Sequence, residues 1–324
     1  MTVDPIVQDA INHPVLVYPL LYRIVQVELA ILRHYPRGEM RCPVHLSFGQ
    51  EFTAVGASMA LRPQDTHAFI YSTHRCHAHY LANGGNLNRM IAELYGKATG
   101  CCGGMGGSMH LVDTDAGFMG AYPTVGSALS IAVGHAFAIR GSDDVVVAFC
   151  GDSVPETGQF WEAMNFASLH QLPLLVICEN NGMATATPLR QRQVSGTWTN
   201  GLMARLPGIQ YYCCSFPSNI TAIYKTIYKA RQGKLPAFVE LSTNRLAPHV
   251  GMGDLSDSEI LTPIRKGPEW QRWRRRCGQT EQVRIRIEST IEQKVKNAFI
   301  QAEAAPYPDS ARRAYAVRAP QVSL

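Results

Sequence analysis

Two oxygen-bearing side chains follow two apolar runs of the sequence, and their types suit a metal ion. Asp152 comes just after the run 145–150, and Asn181 comes just after the run 174–178. If both runs are parallel strands, their carboxyl ends share the sheet edge where ligands of open α/β sheets bind. Carboxylate and amide oxygens are hard ligands that suit Mg²⁺, which usually binds phosphate oxygens as well. The pair would suit a phosphorylated ligand held through magnesium. Taken alone, however, these residue types favour a helix cap at Asp152 and a simple turn at Asn180-Asn181.

The segment between the two runs predicts the helix that joins them. Within residues 158–170, Phe160, Met164 and Ala167 recur at helical spacing and can face a sheet. Strand, helix and strand make a βαβ unit, so we expect an α/β fold with a parallel sheet flanked by helices on both faces. The pattern also predicts strands at 209–213 and 238–242, a leading amphipathic helix at 15–34 and a C-terminal helix at 285–302.

The glycine-rich stretch at 101–107, Cys-Cys-Gly-Gly-Met-Gly-Gly, predicts a loop where the backbone passes close to another group. It does not contain Gly-x-Gly-x-x-Gly, and no strand is predicted before it. A nicotinamide-dinucleotide fingerprint requires both features. The sequence thus argues against a Rossmann dehydrogenase.

Composition places the chain among globular proteins. Of its 324 residues, 46% are hydrophobic and 17% are charged, and its apolar runs are too short for a membrane span. The net charge of +5 is concentrated at 265–286, where eight Lys or Arg face two Glu. No nucleic-acid-binding motif accompanies this segment, so a solvated helix or subunit contact is favoured over a nucleic-acid surface.

Cysteine usage and the N-terminus predict the compartment. Nine cysteines are present without a Cys-x-x-Cys pair, which indicates reduced thiols rather than a zinc site or a disulfide framework. The first residues show neither a signal peptide nor an Arg-rich transit pattern. We expect a cytoplasmic protein.

Beyond these features, the order of motifs over about residues 15 to 255 resembles the α subunit of the E1 component of 2-oxo acid dehydrogenases. This family includes pyruvate, branched-chain 2-oxo acid and acetoin dehydrogenases, which use thiamine diphosphate. The resemblance rests on His-Leu-Ser-Phe-Gly-Gln-Glu at 45–51, Ser-Thr-His-Arg-Cys-His-Ala-His at 72–79, Ala-Glu-Leu-Tyr-Gly-Lys-Ala-Thr-Gly at 92–100, Gly-Gly-Ser-Met-His at 106–110, and Gly151-Asp152-Ser153 through Asn180-Asn181. The second motif looks closest to the acetoin branch.

The resemblance implies a set of site residues and a thiamine-diphosphate-binding fold. It implies that Asp152, Asn181 and the backbone carbonyl of Met183 hold Mg²⁺. Arg75, Arg245 and the amides near Ser153 would bind the diphosphate, since arginine forms strong charge-assisted bonds to phosphate. Val125 would be the apolar wedge under the cofactor, with His74, Gly151 and Val154 also in contact. His249, His77 and His45 would handle protons.

The family's activity and assembly are implied in the same way. Such a chain would decarboxylate or cleave a small 2-oxo acid or acyloin and pass the acyl unit to a lipoyl-bearing E2 acyltransferase or another carrier. A separate E1 β subunit would complete the cofactor site in an α₂β₂ heterotetramer, so the chain alone would be inactive. The alternatives are transketolase-like ketol transfer to a carrier and a non-catalytic partner subunit. Residues 1–262 would form the cofactor-binding domain, and residues 263–324 a basic helical extension and tail.

Several positions depart from the family pattern. Ser153 stands where the motif has glycine, which would cost of order 1 kcal/mol if that position required positive φ. Met183 replaces a common tyrosine, and Glu156 replaces a usual asparagine. Val250 occupies the position of the serine that a regulatory kinase phosphorylates in mammalian relatives. Valine has no hydroxyl, so this form of control is not expected.

Overall fold

Helices alternate with strands through most of the chain in the computed structural model, which describes residues 17–61, 67–194, 201–233, 235–251, 256–277 and 280–309. The helices are α1 Val17–His34, α2 Glu51–Leu61, α3 His77–Ala82, α4 Leu87–Leu94, α5 Ser127–Ala138, α6 Gly158–Leu169, α7 Ile220–Gln232, α8 Asp257–Lys266, α9 Pro268–Arg276 and α10 Glu281–Ala304. The strands are β1 Ala68–Thr73, β2 Phe118–Tyr122, β3 Val145–Gly151, β4 Leu174–Asn180, β5 Met183–Ala184, β6 Thr187–Pro188, β7 Gln210–Cys214 and β8 Ala237–Ser242.

Six of the strands form one parallel sheet in the order β2-β1-β3-β4-β8-β7. Alternate residues of a strand point to opposite faces, and both faces are apolar here. Val147 and Phe149 of β3 belong to a cluster with residues of α1, α2 and α7, whereas Val146 and Ala148 belong to a cluster with residues of α5 and α6. The predicted parallel sheet with helices on both faces is therefore confirmed.

The elements predicted in the middle of the chain are confirmed to within about two residues. β3, α6, β4, β7 and β8 coincide with the expected strands and helix. The leading and C-terminal helices are α1 and α10, although residues 15 and 16 lie outside the described residues. β1 and β2 were not predicted. β2 reads Phe-Met-Gly-Ala-Tyr, which has no β-branched residue and contains a glycine.

The C-terminal helices pack on the N-terminal one. Trp270 of α9 is buried edge-on against Tyr18 of α1, with ring centroids 5.3 Å apart. The Tyr18 hydroxyl donates to Glu288 of α10 at 2.7 Å. The basic segment is thus partly ion-paired, because Arg274 contacts both Glu281 and Glu288. The predicted domain boundary between residues 262 and 263 falls within α8, and that division stays a prediction.

A membrane-spanning helix is absent from the described parts of the chain, since none of their helices is both long and apolar enough. The cytoplasmic location expected from the sequence stays a prediction.

The central strands should dominate stability. Ile177 of β4 is fully buried in the larger core cluster. We expect Ile177→Ala to lower the free energy of unfolding by about 2–5 kcal/mol, because it removes apolar contacts and leaves a cavity. Chemical denaturation measures this change. Ile300→Ala is the matched control, since Ile300 is 52% exposed and should change stability by about 0.5 kcal/mol or less; equal losses for both variants would contradict the core assignment.

Candidate active site

A cleft of about 380 Å³ opens at the carboxyl ends of the central strands. It lies where ligands of open parallel sheets bind. The loops that follow β1, β2, β3, β4 and β8 all contribute side chains, and His45 enters from the loop before α2. Each residue predicted to contact the cofactor lines this cleft: His74, Arg75, Val125, Gly151, Asp152, Ser153, Val154, Asn181, Met183, Arg245 and His249.

Residues outside the cleft hold Asp152 in position. Its side chain is almost fully buried, and its carboxylate is paired with the guanidinium of Arg192, which also pairs with Glu156. Gln193 Nε2 donates to the Asp152 carbonyl oxygen at 2.9 Å and to Glu156 Oε1 at 2.7 Å. Arg192, Gln193 and Glu156 do not line the cleft. Glu156, which departs from the family pattern, therefore forms an ion pair with Arg192.

The loop after β4 is fixed by side-chain to backbone bonds. Asn180 Oδ1 accepts from the amide of Gly182 at 2.9 Å, and Asn181 Oδ1 accepts from the amide of Met183 at 3.0 Å. Such Asx turns hold short loops in one conformation. Asn180 Nδ2 also donates to Glu240 Oε1 of β8 at 2.8 Å. The carbonyl and amide oxygens near Asn181 are therefore in defined positions at the cleft that Asp152 also lines.

Ser153 is not strained. Its φ of −86° lies in the right-handed helical region, which any L-residue adopts. The cost considered for a side chain in place of the motif glycine does not arise in this structure. Ser153 and Val154 both line the cleft.

Two arginines give one wall of the cleft a positive charge. Arg75 is buried, and its guanidinium donates to the Leu46 carbonyl and, at 3.1 Å, to the His249 carbonyl. Burial, followed by the charge of Arg245, lowers the pKa of Arg75 to about 10, so it stays protonated at neutral pH. Arg245 Nη2 donates to the Thr185 carbonyl at 2.8 Å. These cations suit an anionic ligand.

Three histidines meet at the same end of the cleft. The ring centroids of His45, His74 and His249 lie 4.6 to 5.4 Å apart. Burial lowers the pKa of His45 to about 3 and that of His74 to about 4, and their neighbouring histidine and arginine charges add to both effects. Burial, with Arg75 and Arg245, also lowers the pKa of His249. All three rings are therefore neutral at pH 7, so each has one ring nitrogen that can accept a hydrogen bond.

His77 lies elsewhere. It is fully buried behind the cleft, its Nδ1 lies 3.0 Å from Glu28 Oε1, and its Nε2 lies 2.8 Å from Ser108 Oγ. Both ring nitrogens are therefore used inside the protein, in bonds that join α3 to α1 and to the glycine-rich loop. The structure brings His45 and His249 together with the residues predicted to contact the cofactor, but not His77.

Gln50 and Glu179 line the cleft as well, although sequence reasoning did not single them out. Glu179 is buried and accepts from Gln50 Nε2 at 2.6 Å and from Thr53 Oγ1. Gln50 Oε1 has no hydrogen-bond partner among the described residues. Both residues could have been predicted from the sequence, because Gln50 belongs to the 45–51 motif and Glu179 directly precedes Asn180-Asn181. Arg192 belongs to none of these motifs, so its contact with Asp152 could not be predicted.

The neutral histidines predict an acid-sensitive fold. The pKa of His45 is about 3 in the folded state and near 6.5 when exposed. Between these values only the unfolded chain takes up the proton, so this term stabilises the fold above pH 6.5 and is lost as pH falls toward 3. We expect the urea midpoint to fall from pH 7 to pH 5, and to fall less in His45→Gln.

Glu51 has the opposite effect, since burial raises its pKa to about 7, but it is present in both proteins and cancels in the difference. His67→Gln serves as the control, because His67 is exposed at the surface. An equal response to pH in the wild type and His45→Gln would contradict the neutral assignment.

Comparison with solved structures shows the fold. The chain is similar to transketolase from Leishmania mexicana with a TM-score of 0.53 and 14% sequence identity, over 88% of this chain and 45% of that one. At this identity the likeness concerns the fold alone. It agrees with the parallel α/β sheet flanked by helices.

Sequence comparisons extend over most of the chain. It is 34% identical to subunit alpha-3 of the chloroplastic pyruvate dehydrogenase E1 component of Arabidopsis thaliana, over 66% of this chain and 52% of the relative. It is 37% identical to the alpha subunit of acetoin:2,6-dichlorophenolindophenol oxidoreductase of Bacillus subtilis, over 64% and 62%. The chain thus spans about half to two thirds of the length of these relatives. Because residues 21–311 also match the family model of the dehydrogenase E1 component, the chain belongs to that family.

Proposed function

We propose that this chain is the α subunit of a thiamine-diphosphate-dependent E1 component that acts on a small 2-oxo acid or acyloin, of the pyruvate or acetoin type. The observation that carries the proposal is one cleft in which the oxygen ligands Asp152 and Asn181 lie with the cations Arg75 and Arg245 and with neutral histidines. An oxygen-rich metal site beside arginines suits a diphosphate. Family membership and the relatives' names support the same assignment.

The residues of the cleft fit the proposed cofactor. A carboxylate, an amide oxygen and a backbone carbonyl, from Asp152, Asn181 and Met183, form the hard set that Mg²⁺ prefers. Arg75 and Arg245 would bind diphosphate oxygens. Two buried polar atoms of the cleft residues, Gln50 Oε1 and His45 Nδ1, have no partner within the described part of the chain. Buried polar atoms normally have one, so these two are available to a ligand.

The chemistry divides between cofactor and protein. Thiamine diphosphate, when bound, would supply the carbanion chemistry needed for carbon–carbon cleavage next to an oxo group. Val125, which is 43% exposed in the cleft, offers the apolar contact expected beneath its rings. His45, His74 and His249 line the cleft and would hold or accept protons at their ring nitrogens once an anionic ligand offsets the charges of Arg75 and Arg245. His77 would act only by positioning α3.

A second subunit is part of the proposal. The relatives are named as alpha subunits, and in this family a β subunit would complete the site within an α₂β₂ heterotetramer. Exposed apolar side chains on this chain support such a contact: Ile131 of α5 is 42% exposed, and Leu169 of α6 is 73% exposed. A lipoyl-bearing E2 acyltransferase would then receive the acyl unit. Transketolase-like transfer is less favoured, since the likeness to transketolase is one of fold.

The first test is the cofactor content of the native assembly. The tagged full chain, purified from its host with whatever binds it, should contain about one thiamine diphosphate per chain, by the one-site stoichiometry of the cleft, and a second subunit. Mass spectrometry of the bound cofactor measures this. Absence of cofactor after addition of Mg²⁺ and thiamine diphosphate would leave the non-catalytic partner as the better assignment.

Asp152→Ala tests the metal ligand. We expect Mg²⁺-dependent binding of thiamine diphosphate to the assembled complex to weaken by about 100-fold or more, because losing a direct ligand should exceed the 10–100-fold cost of losing an outer one. Isothermal titration calorimetry measures the affinity, and circular dichroism checks the fold. Asp143→Ala is the matched control, since Asp143 is exposed outside the cleft. Undiminished binding in Asp152→Ala would remove Asp152 from the metal site.

A further inference from the structure

The three histidines of the cleft are arranged as metal ligands. One ring nitrogen from each of His45, His74 and His249 lies within 4.8 Å of the other two. The rings meet edge to face, at interplanar angles of 61° to 81°, and are not stacked. They come from three separate segments, namely the loop before α2, the loop after β1 and the loop after β8. The fold itself, rather than a local sequence motif, therefore assembles the cluster.

One buried ring nitrogen of this cluster is unpaired within the described parts of the chain. His45 is 6% exposed, and its Nδ1 has no hydrogen-bond partner among the residues that the structure describes. His77 differs, since both of its nitrogens are bonded internally. Buried polar atoms normally have a partner, so this nitrogen is available to an ion when the cofactor proposed above is absent.

We propose that His45, His74 and His249 form a binding site for a borderline transition-metal ion such as Zn²⁺, separate from the oxygen ligands at Asp152 and Asn181. Neutral imidazoles select zinc, cobalt or copper over magnesium. Three protein nitrogens with a fourth position open to solvent or substrate are a common zinc arrangement. The adjoining cleft provides that fourth position.

Binding requires a small closure of the cluster. Tetrahedral coordination with Zn–N bonds of about 2.0–2.1 Å brings nitrogens to roughly 3.3 Å from one another, which is shorter than the present limit of 4.8 Å. Rotation of the side chains can supply this, because His74 and His249 are only half-buried. The lowered pKa values keep the rings in the neutral form that binds metals.

The neighbouring cations limit the affinity. Arg75 and Arg245 are close enough to lower the pKa of His249, so they also oppose the positive charge of a bound metal ion. Arg75 is partly compensated by the carbonyl oxygens of Leu46 and His249. We therefore expect weaker binding than the same three histidines would give without neighbouring cations. On the proposed function, an ion at this site would inhibit, because it would occupy the lone pairs needed for proton transfer.

Co²⁺ is a suitable probe, added to the full chain without thiamine diphosphate. Nitrogen-ligated four-coordinate Co²⁺ absorbs visible light far more strongly than Co²⁺ in an octahedral oxygen site, so the spectrum reports the coordination. We expect a saturable visible band from one ion per chain, removed by excess Zn²⁺. His249→Gln and His74→Gln should abolish the band. His67→Gln and Asp152→Asn should retain it.

Several results would overturn the proposal. The band could be absent from the wild-type chain, survive in both histidine variants, or be lost in Asp152→Asn. A thiolate charge-transfer band would instead assign the ion to Cys101 and Cys102, which lie beside Glu93. His249→Gln is the decisive variant, because His249 lies half-buried in a loop and circular dichroism can verify its fold. The measurement contains no thiamine diphosphate, so its result is independent of the proposed function.

Discussion

The parallel pairing of β3 with β4 determines where the site can lie. Gly151 is paired with Glu179, so the chain leaves both strands at the same edge of the sheet. Asp152 and Asn181, 29 positions apart in the sequence (181 minus 152), thereby border one cleft. The pairing of Asn180 with Ser242 in β8 brings the segment that carries Arg245 and His249 to the same edge. A slip of one residue would turn each strand's side chains to the opposite face and separate these groups.

A buried carboxylate connects this edge to the helices around it. Glu179 accepts hydrogen bonds from Gln50 and Thr53 of the α2 region and lies 3.2 Å from His79 Nε2 of α3. A buried charge is tolerated only with such partners. The same contacts fix the segment that brings His45 into the cleft. The position of the loops around the cleft therefore depends on polar pairing beneath it as well as on the apolar sheet.

The sequence predicted the central βαβ unit because β3 and β4 are continuous apolar runs of strand length with a helical period between them. It did not predict β2, whose strand character comes from pairing with β1 and not from its residue types. The residues expected to contact the cofactor were predicted from motif resemblance, and the structure brings them into one cleft. Motif position could not separate His77 from His45, because the hydrogen bonds of His77 to Glu28 and Ser108 come from tertiary packing. The contact between Arg192 and Asp152 could not be predicted either, because it also comes from tertiary packing.

Charge in the cleft is carried by arginines, while its histidines stay neutral. A protonated imidazole at His45, His74 or His249 would be a further cation in a partly buried space that already holds Arg75, so the proton is disfavoured. Any anion that neutralises Arg75 and Arg245 must reduce this repulsion. By linkage, such an anion raises the affinity of the imidazoles for a proton, and protonation in turn strengthens binding of the anion. Anion binding and proton uptake are therefore coupled through the arrangement of these five side chains.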